Sequence, residues 1–141
     1  ILESYESKLE KKEEKFEKYA DTISNLRDRI LTLSEFSIEE SEPAMSYIEE
    51  QGYVIDKLIP FIKEELYELN TLKGEEHPLI PYPSLGGGKM LINSIRILNH
   101  KWIITNFSDG KYWGELFLTY NLSENEELTF KTVESFIYPV R

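Results

Sequence analysis

The chain lacks cysteine entirely, and none of its apolar runs approaches the roughly 20 residues that a membrane-spanning helix needs. Without cysteine there is no disulfide framework and no thiolate chemistry. The sequence has only two histidines, His77 and His100, and it contains no GxSxG, HExxH or EF-hand motif. We therefore lean toward a protein that is not an enzyme, and we expect no metal and no cofactor. A catalytic triad whose members meet only in the fold remains an alternative.

An excess of basic residues is also missing from every segment of this chain, whose formal net charge is −10. Residues 1–35 hold seven basic and nine acidic side chains, residues 36–76 hold three and eleven, and residues 77–141 hold six of each. Nucleic acids and anionic membrane surfaces both attract clustered Lys and Arg, because the cations displace counterions or pair with lipid headgroups. We expect neither as a partner.

What the sequence does have is a heptad repeat over residues 1–36. With Leu2 at position a, nine of the ten a and d positions up to residue 33 are apolar or aromatic, and Lys12 is the exception. The stripe is narrow, which is typical of a coiled coil and predicts a homo-oligomer, either a dimer or a trimer. The alternative is one amphipathic helix lying on the rest of its own chain. The predicted oligomer interface consists of Leu2, Leu9, Phe16, Tyr19, Ile23, Leu26, Ile30 and Leu33.

Residues 37–141 predict an α+β domain. Apolar residues recur with helical spacing over about residues 43–72, where Pro60 should kink or break the helix. Residues 90–138 contain four runs rich in Ile, Thr, Phe, Tyr and Trp, which predict a four-stranded antiparallel sheet. The predicted fold is therefore α+β: a long N-terminal coiled-coil helix, a kinked helix and a four-stranded antiparallel sheet.

The stretch PYPSLGGGKM, residues 81–90, has the glycines and the lysine of a phosphate-binding loop. A Walker loop, GxxxxGK[ST], also needs a glycine where Pro83 stands and a hydroxyl residue where Met90 stands. Such a loop leads from a strand into a helix, whereas this one leads into a predicted strand. We interpret residues 74–89 as a connector.

Asp109-Gly110 between two apolar runs predicts a hairpin in which Ser108 pairs with Lys111. Both faces of the resulting sheet are largely apolar, so both need cover, and one helix covers only one of them. The second face therefore meets another subunit or lines a pocket. Glu115 on that face is either a buried, functional carboxylate or an ordinary one that reaches water. The candidate ligand or partner face consists of Trp102, Asn106, Trp113, Glu115 and Phe117.

The order of elements over residues 43–138, one helix before a curved antiparallel sheet, resembles the cystatin-like and NTF2-like folds, which often dimerise through the sheet. Separately, KWIITNFSDGKYWGELFLTY and SFIYP are similar to the tails of short proteins of Flavobacteria and their relatives. Those proteins carry an N-terminal membrane helix and are often labelled hydrolases. The resemblance implies a membrane tether upstream of Ile1 and a place on the periplasmic side of a bacterial envelope. No motif in these residues supports the hydrolase label, and we do not adopt it.

These features predict a non-enzymatic assembly or adaptor module of a bacterial cell envelope, which oligomerises through its N-terminal helix and has an unknown protein partner. The alternative is a small-ligand-binding domain or a hydrolase, with a pocket over the face that carries Trp102 and Trp113.

Overall fold

The computed structural model describes residues 2–74 and 76–139, and the chain forms two compact units, residues 1–35 and residues 36–141. The tether expected upstream of Ile1 lies outside the described residues. Among the helices of the described part, none is both long enough and apolar enough to cross a membrane.

The first unit is one helix, α1 (Leu2–Ser34), of 33 residues. At 1.5 Å per residue it is about 50 Å long. Its sequence favours a helix because it has neither Gly nor Pro and is rich in straight-chain Glu, Lys and Leu. No residue of α1 is buried. The helix is followed by Phe36 in the left-handed conformation, with φ 57°.

The predicted kinked helix is two helices, α2 (Glu42–Glu50) and α3 (Ile55–Glu68). The interruption lies at Gly52, whose φ of +90° is accessible to glycine and costly for other residues. Pro60, where we expected the kink or break, lies inside α3. Pro60 is the sixth residue of α3. Because it has no N–H, the helix loses one backbone hydrogen bond to a carbonyl of its first turn. The helix nevertheless continues beyond Pro60.

Two short 3-10 segments, Ile38–Glu40 and Leu69–Thr71, flank the helical pair. At the start of α2, Ser41 is the N-cap and its side chain accepts a hydrogen bond from the Ala44 amide (3.4 Å). Pro43 follows in the first turn, where a missing N–H costs nothing. The capping residues therefore determine where α2 begins.

The sheet is an antiparallel meander in the order β1-β2-β3-β4. Its strands are β1 (Leu91–Ile97), β2 (Trp102–Ser108), β3 (Trp113–Leu122) and β4 (Leu128–Ile137). A long N-terminal helix, further helices and four antiparallel strands confirm the predicted α+β fold class.

The register of the β2–β3 hairpin differs from the prediction by two residues. Ser108 pairs with Trp113 rather than with Lys111, because the loop contains four residues, 109–112. Within it, Asp109 Oδ1 accepts hydrogen bonds from the amides of Lys111 (3.0 Å) and Tyr112 (2.8 Å). A shift of two residues changes the cross-strand partners but leaves every side chain on its predicted face, since side chains in a strand alternate with period 2.

One face of the sheet, the inner face, packs against α3 and forms the core. On the strands the fully buried side chains are Ile92, Ile103, Thr105, Phe107, Leu116 and Leu118, and on α3 they are Ile62 and Leu66. Gly114 lies at the closest approach, because a Cβ there would overlap the carbonyl oxygen of Phe136 and lie 2.7 Å from the Phe107 ring. The β3–β4 packing therefore requires glycine at this position.

Side chains of α3 and of the 3-10 segment that follows it bind backbone groups at the start of β1, on its free edge. The Asn70 amide group donates to the Ile92 carbonyl and accepts from the Ile92 amide, each at 2.9 Å. Tyr67 Oη donates to the carbonyl of Asn93 (3.1 Å). An exposed strand edge invites pairing with other chains, and these bonds use the backbone groups that would do so.

His77, in the connector, is buried with 3% of its surface exposed. Its Nδ1 accepts a hydrogen bond from the Leu79 amide (3.1 Å), so this nitrogen carries no proton in the fold. Burial first, and then the charge of Lys89, lower the pKa of His77 from 6.5 to about 4. The native protein therefore holds His77 neutral where an unfolded chain would protonate it.

This difference predicts a pH-dependent stability. Between pH 6.5 and about 4 the unfolded state binds a proton at His77 that the folded state does not, so stability present above pH 6.5 is lost as the pH falls through this window. We expect the His77 contribution to the free energy of unfolding to decrease by about 1–3 kcal/mol. Urea unfolding at several pH values measures it in the wild type and in His77→Asn, with His100→Asn as the matched control. An identical pH slope in wild type and His77→Asn would contradict the assignment.

Candidate functional site

The eight predicted interface residues form one exposed stripe along α1, which we call the α1 stripe. Their exposed fractions run from 51% at Leu26 to 79% at Leu2. A single helix has no other element of its own unit to cover such a stripe. Isolated helices are only marginally stable in water, and most helical stability comes from packing of the apolar face. The α1 stripe is therefore a surface that gains stability when it is covered.

The five residues of the candidate ligand or partner face lie together on the side of the sheet opposite to the core, which we call the outer face. β2 contributes Trp102 and Asn106, and β3 contributes Trp113, Glu115 and Phe117. Trp102 is 45% exposed and Trp113 is 64% exposed. Within the domain, the helices cover the inner face and leave the apolar side chains of the outer face in contact with solvent.

Two aromatic residues from the end of the chain extend the outer face, and the sequence analysis did not include them. Phe136 pairs with Glu115 across the β3–β4 ladder. The Tyr138 ring contacts Phe136 (5.0 Å between centroids) and Trp113 (6.1 Å), in each case edge to face. The sequence feature that indicates these two residues is the alternation in SFIYP, which places Phe136 and Tyr138 on one face of a strand.

Glu115 is partly exposed, and it lies on β3, an inner strand of the sheet. Its Oε2 accepts a hydrogen bond from Tyr138 Oη (2.8 Å), and this bond, followed by burial and the carboxylate charge, raises the pKa of Tyr138. The bond holds the Tyr138 ring between Phe136 and Trp113. The carboxylate therefore orders an aromatic cluster.

The outer face carries a shallow hollow. The hollow measures about 220 Å³ and is bordered by Ile104, Glu115, Phe117 and Phe136, among others. Small-molecule sites usually enclose about 300–1,000 Å³. This shape suits contact with another protein surface better than enclosure of a small ligand.

A larger cavity, of about 860 Å³, lies at the end of the sheet beside α2, and neither Trp102 nor Trp113 lines it. The rings of His100 and Tyr47 contact each other at an interplanar angle of 40°, with their centroids 4.4 Å apart. Tyr120 Oη donates to the carbonyl of Asn99 (2.7 Å), and burial raises the pKa of Tyr120 above its usual range. Five aromatic side chains line this cavity: Tyr47, Tyr53, His100, Tyr120 and Phe130. Sequence reasoning missed this cavity, because α2 and strands β3 and β4 meet there only in the fold.

Three donors of residues 84–89, which we call the glycine segment, bind groups of the protein itself. The amides of Leu85 (3.1 Å) and Gly86 (2.7 Å) donate to Asp109 Oδ2. Lys89 Nζ donates to the carbonyls of Asn70 (3.4 Å) and Leu72, at the end of the helical segment. A cation there stabilises the unpaired carbonyls of a helix terminus. The groups that would hold a phosphate thus have structural roles.

Asp109 links the glycine segment to the β2–β3 loop. The Tyr112 amide, and then those of Lys111, Gly86 and Leu85, lower the pKa of Asp109 to about 2, although partial burial opposes them. No group of three or more His, Asp or Glu in residues 2–74 and 76–139 is arranged to hold a metal ion. Through these hydrogen bonds Asp109 anchors the glycine segment to the β2–β3 loop.

Replacement of Asp109 by Asn separates its two roles. The Asn side chain keeps one oxygen, which still accepts from the amides of Lys111 and Tyr112, while its NH₂ group cannot accept from Leu85 and Gly86. We expect amide hydrogen exchange to accelerate by roughly tenfold at Leu85 and Gly86 and to change little in the β2–β3 loop. Unchanged exchange at Leu85 and Gly86 would show that the Asp109 carboxylate does not hold the glycine segment.

Comparison with protein-family models, with curated proteins and with solved structures yields no match for this chain. The resemblances described for the sequence therefore stay predictions. A functional assignment depends on the two apolar surfaces, the α1 stripe and the outer face, and on the cavity beside α2.

Proposed function

We propose that this chain is a non-enzymatic assembly or adaptor module that forms homo-oligomers through α1. The observation that supports this most directly is the α1 stripe, in which eight large apolar side chains are each more than half exposed. Complete burial of one such side chain contributes about 1.5–3 kcal/mol. Association of several helices covers all eight at once.

The charges next to the stripe are compatible with a parallel pair of helices. Lys8 at position g and Glu13 at the following position e attract each other between parallel helices in register. Lys12 lies at a d position, where it lowers stability and helps to specify the register. Tyr5, Phe16 and Tyr19 are bulky for a two-stranded seam, so the proposal includes a trimer as well as a dimer.

We further propose that the module belongs to the periplasmic side of a bacterial envelope, with a membrane tether upstream of Ile1. This proposal is based on the resemblance predicted from KWIITNFSDGKYWGELFLTY and SFIYP. In this arrangement α1, about 50 Å long, would hold the α+β domain away from the membrane. Membrane fractionation of cells that express the complete gene tests this; recovery of the protein only in the soluble cytoplasmic fraction would contradict it.

The cavity beside α2 supports a second candidate function, the binding of a small planar ligand. Its volume of about 860 Å³ and its aromatic wall are typical of ligand sites. NMR titration with indole, a planar aromatic probe, should shift the ring protons of His100 and leave those of buried His77 unchanged. The absence of a shift at His100 with millimolar indole would argue against this candidate.

The proposal predicts that charges in the α1 stripe dissociate the oligomer. Leu9→Asp with Ile23→Asp places a carboxylate at two a positions, so we expect the mass from light scattering to fall to that of a monomer, 16.6 kDa. Circular dichroism should show a loss of helix, since an uncovered α1 is only marginally stable.

The control is Ser7→Asp with Asn25→Asp, which adds the same charge at positions f and c, outside the stripe. We expect this variant to retain the mass of the wild type. A stripe variant that keeps its mass, or a control that loses it equally, would contradict association through the α1 stripe.

A further inference from the structure

The two edges of the sheet differ in the bonds that their backbone makes. At the start of β1, Tyr67 and Asn70 bind backbone groups of Ile92 and Asn93. On β4 no residue is buried. Among residues 2–74 and 76–139, the backbone hydrogen bonds of β4 all go to β3. An unpaired edge of this kind is a template for a further strand.

Alternate residues of β4 direct their backbone groups away from β3. The Tyr138 amide donates to the Trp113 carbonyl (2.9 Å), and the Ser123 amide donates to the Glu127 carbonyl (2.9 Å). Since the bonding alternates along an antiparallel pair, these two bonds determine which residues of β4 face β3. The residues whose N–H and C=O groups point to the free edge are Leu128, Phe130, Thr132, Ser135 and Ile137.

A bulge makes this free edge symmetrical about Thr132. The register with β3 leaves Val133 as an extra residue of β4, between Thr132 and Glu134. A bulge sets two residues opposite one, so the outward position after Thr132 is Ser135. Two outward residues thus precede Thr132 and two follow it. In an antiparallel pair of β4 strands about a two-fold axis at Thr132, the other outward residues match as Leu128 with Ile137 and Phe130 with Ser135.

The charges of β4 select this axis. Lys131 and Glu134 lie on the outer face, since they pair with Thr119 and Phe117 of β3. With the axis at Thr132, Lys131 lies opposite Glu134 of the second copy, and symmetry repeats the pair. A shift of the axis in one direction would place Lys131 opposite Lys131, and in the other direction Glu134 opposite Glu134. Opposite charges across a strand pair stabilise it and like charges destabilise it.

A lysine and a bulge usually protect an edge from other strands. On β4 each of these features has its counterpart in a second copy, because Lys131 of one strand faces the Val133–Glu134 bulge of the other. The outward amide of Ser135 donates to its neighbour Glu134 Oε1 (3.3 Å). A second β4 would give this amide a backbone carbonyl and leave the carboxylate to Lys131. An edge that repels an unrelated strand therefore fits a copy of itself.

The contact needs support from elsewhere in the chain, because an isolated pair of strands is only marginally stable in water. Linkage through α1 would hold two domains at a millimolar effective concentration. At such a concentration a weak contact between two strands is sufficient.

We propose that β4 pairs with β4 of a second copy, antiparallel and about a two-fold axis at Thr132, so that two four-stranded sheets become one continuous sheet. The inference rests on the proposed association through α1. It selects the dimer over the trimer, because the edge of β4 accepts one further strand. The partner of this edge is then a second copy of this chain.

Engineered disulfides test the axis, because the chain has no cysteine of its own. In the double variant Lys131→Cys/Glu134→Cys, each new thiol faces a thiol of the second copy at a separation that suits a disulfide. After mild oxidation we expect a covalent dimer at twice the chain mass of 16.6 kDa. Lys131→Cys alone and Glu134→Cys alone should each give about tenfold less of it, since their thiols meet only about a shifted axis.

Amide hydrogen exchange tests the same contact in the unmodified chain. In the wild-type dimer we expect the outward amides to exchange about tenfold more slowly than in Leu9→Asp/Ile23→Asp. The amides of Thr129 and Phe136, which point to β3, should exchange alike in both proteins. The outward amides to be measured are those of Leu128, Phe130, Thr132, Ser135 and Ile137.

The matched control is Lys57→Cys/Glu64→Cys, which removes the same two charges from exposed positions of α3 and should give little covalent dimer. A wild-type dimer whose outward amides exchange as fast as in the stripe variant would overturn the edge contact and leave association through α1 intact. Slow exchange without a covalent dimer of the double variant would overturn the axis at Thr132, and so would equal crosslinking of a single variant. A monomeric wild type would overturn both proposals.

Discussion

The structure depends on a mismatch between the apolar surface of the sheet and the number of elements that can cover it. Ile103, Phe107 and Leu118 on the inner face are completely buried, in one core cluster with Ile62 and Leu66 of α3. In the part of the domain that the structure describes, no helix covers Trp102 and Trp113 on the outer face, and they are 45% and 64% exposed. The domain thus completes one core and keeps a second apolar surface, and α1 presents a third. The outer face and the α1 stripe are thus the two apolar surfaces on which function depends.

Polar side chains connect the elements that the core does not reach. Asn70 binds the free edge of β1 through its two bonds to Ile92, and Lys89 contacts the carbonyls at the end of the helical segment. Asp109 holds the glycine segment against the β2–β3 loop through bonds to Leu85 and Gly86. The segment that most resembles a phosphate loop is therefore part of the framework. It joins the helical half of the domain to the sheet.

The sequence predicted those features that depend on local periodicity. The heptads indicated a long α1, and four β-rich runs indicated four antiparallel strands, because side-chain spacing reports which faces are apolar. Side chains also stayed on their predicted faces after the two-residue register shift. The face of Trp102, Asn106, Trp113, Glu115 and Phe117 was predictable for this reason.

Features that depend on distant contacts were not predictable. The β2–β3 loop has four residues because Asp109 binds amides both in its own loop and at Leu85 and Gly86, more than 20 residues away. Similarly, Gly52 rather than Pro60 separates the two helices, since Pro60 lies close enough to the start of α3 to be tolerated. The cavity beside α2 and the bond from Tyr138 to Glu115 arise only when separate elements meet.

The central claim is that the chain associates with copies of itself through α1. Sedimentation equilibrium of the wild-type chain from low to high micromolar concentration measures this most directly. The account predicts a mass that is a multiple of the 16.6 kDa chain and that falls toward the chain mass on dilution. A mass of 16.6 kDa at every concentration would contradict it.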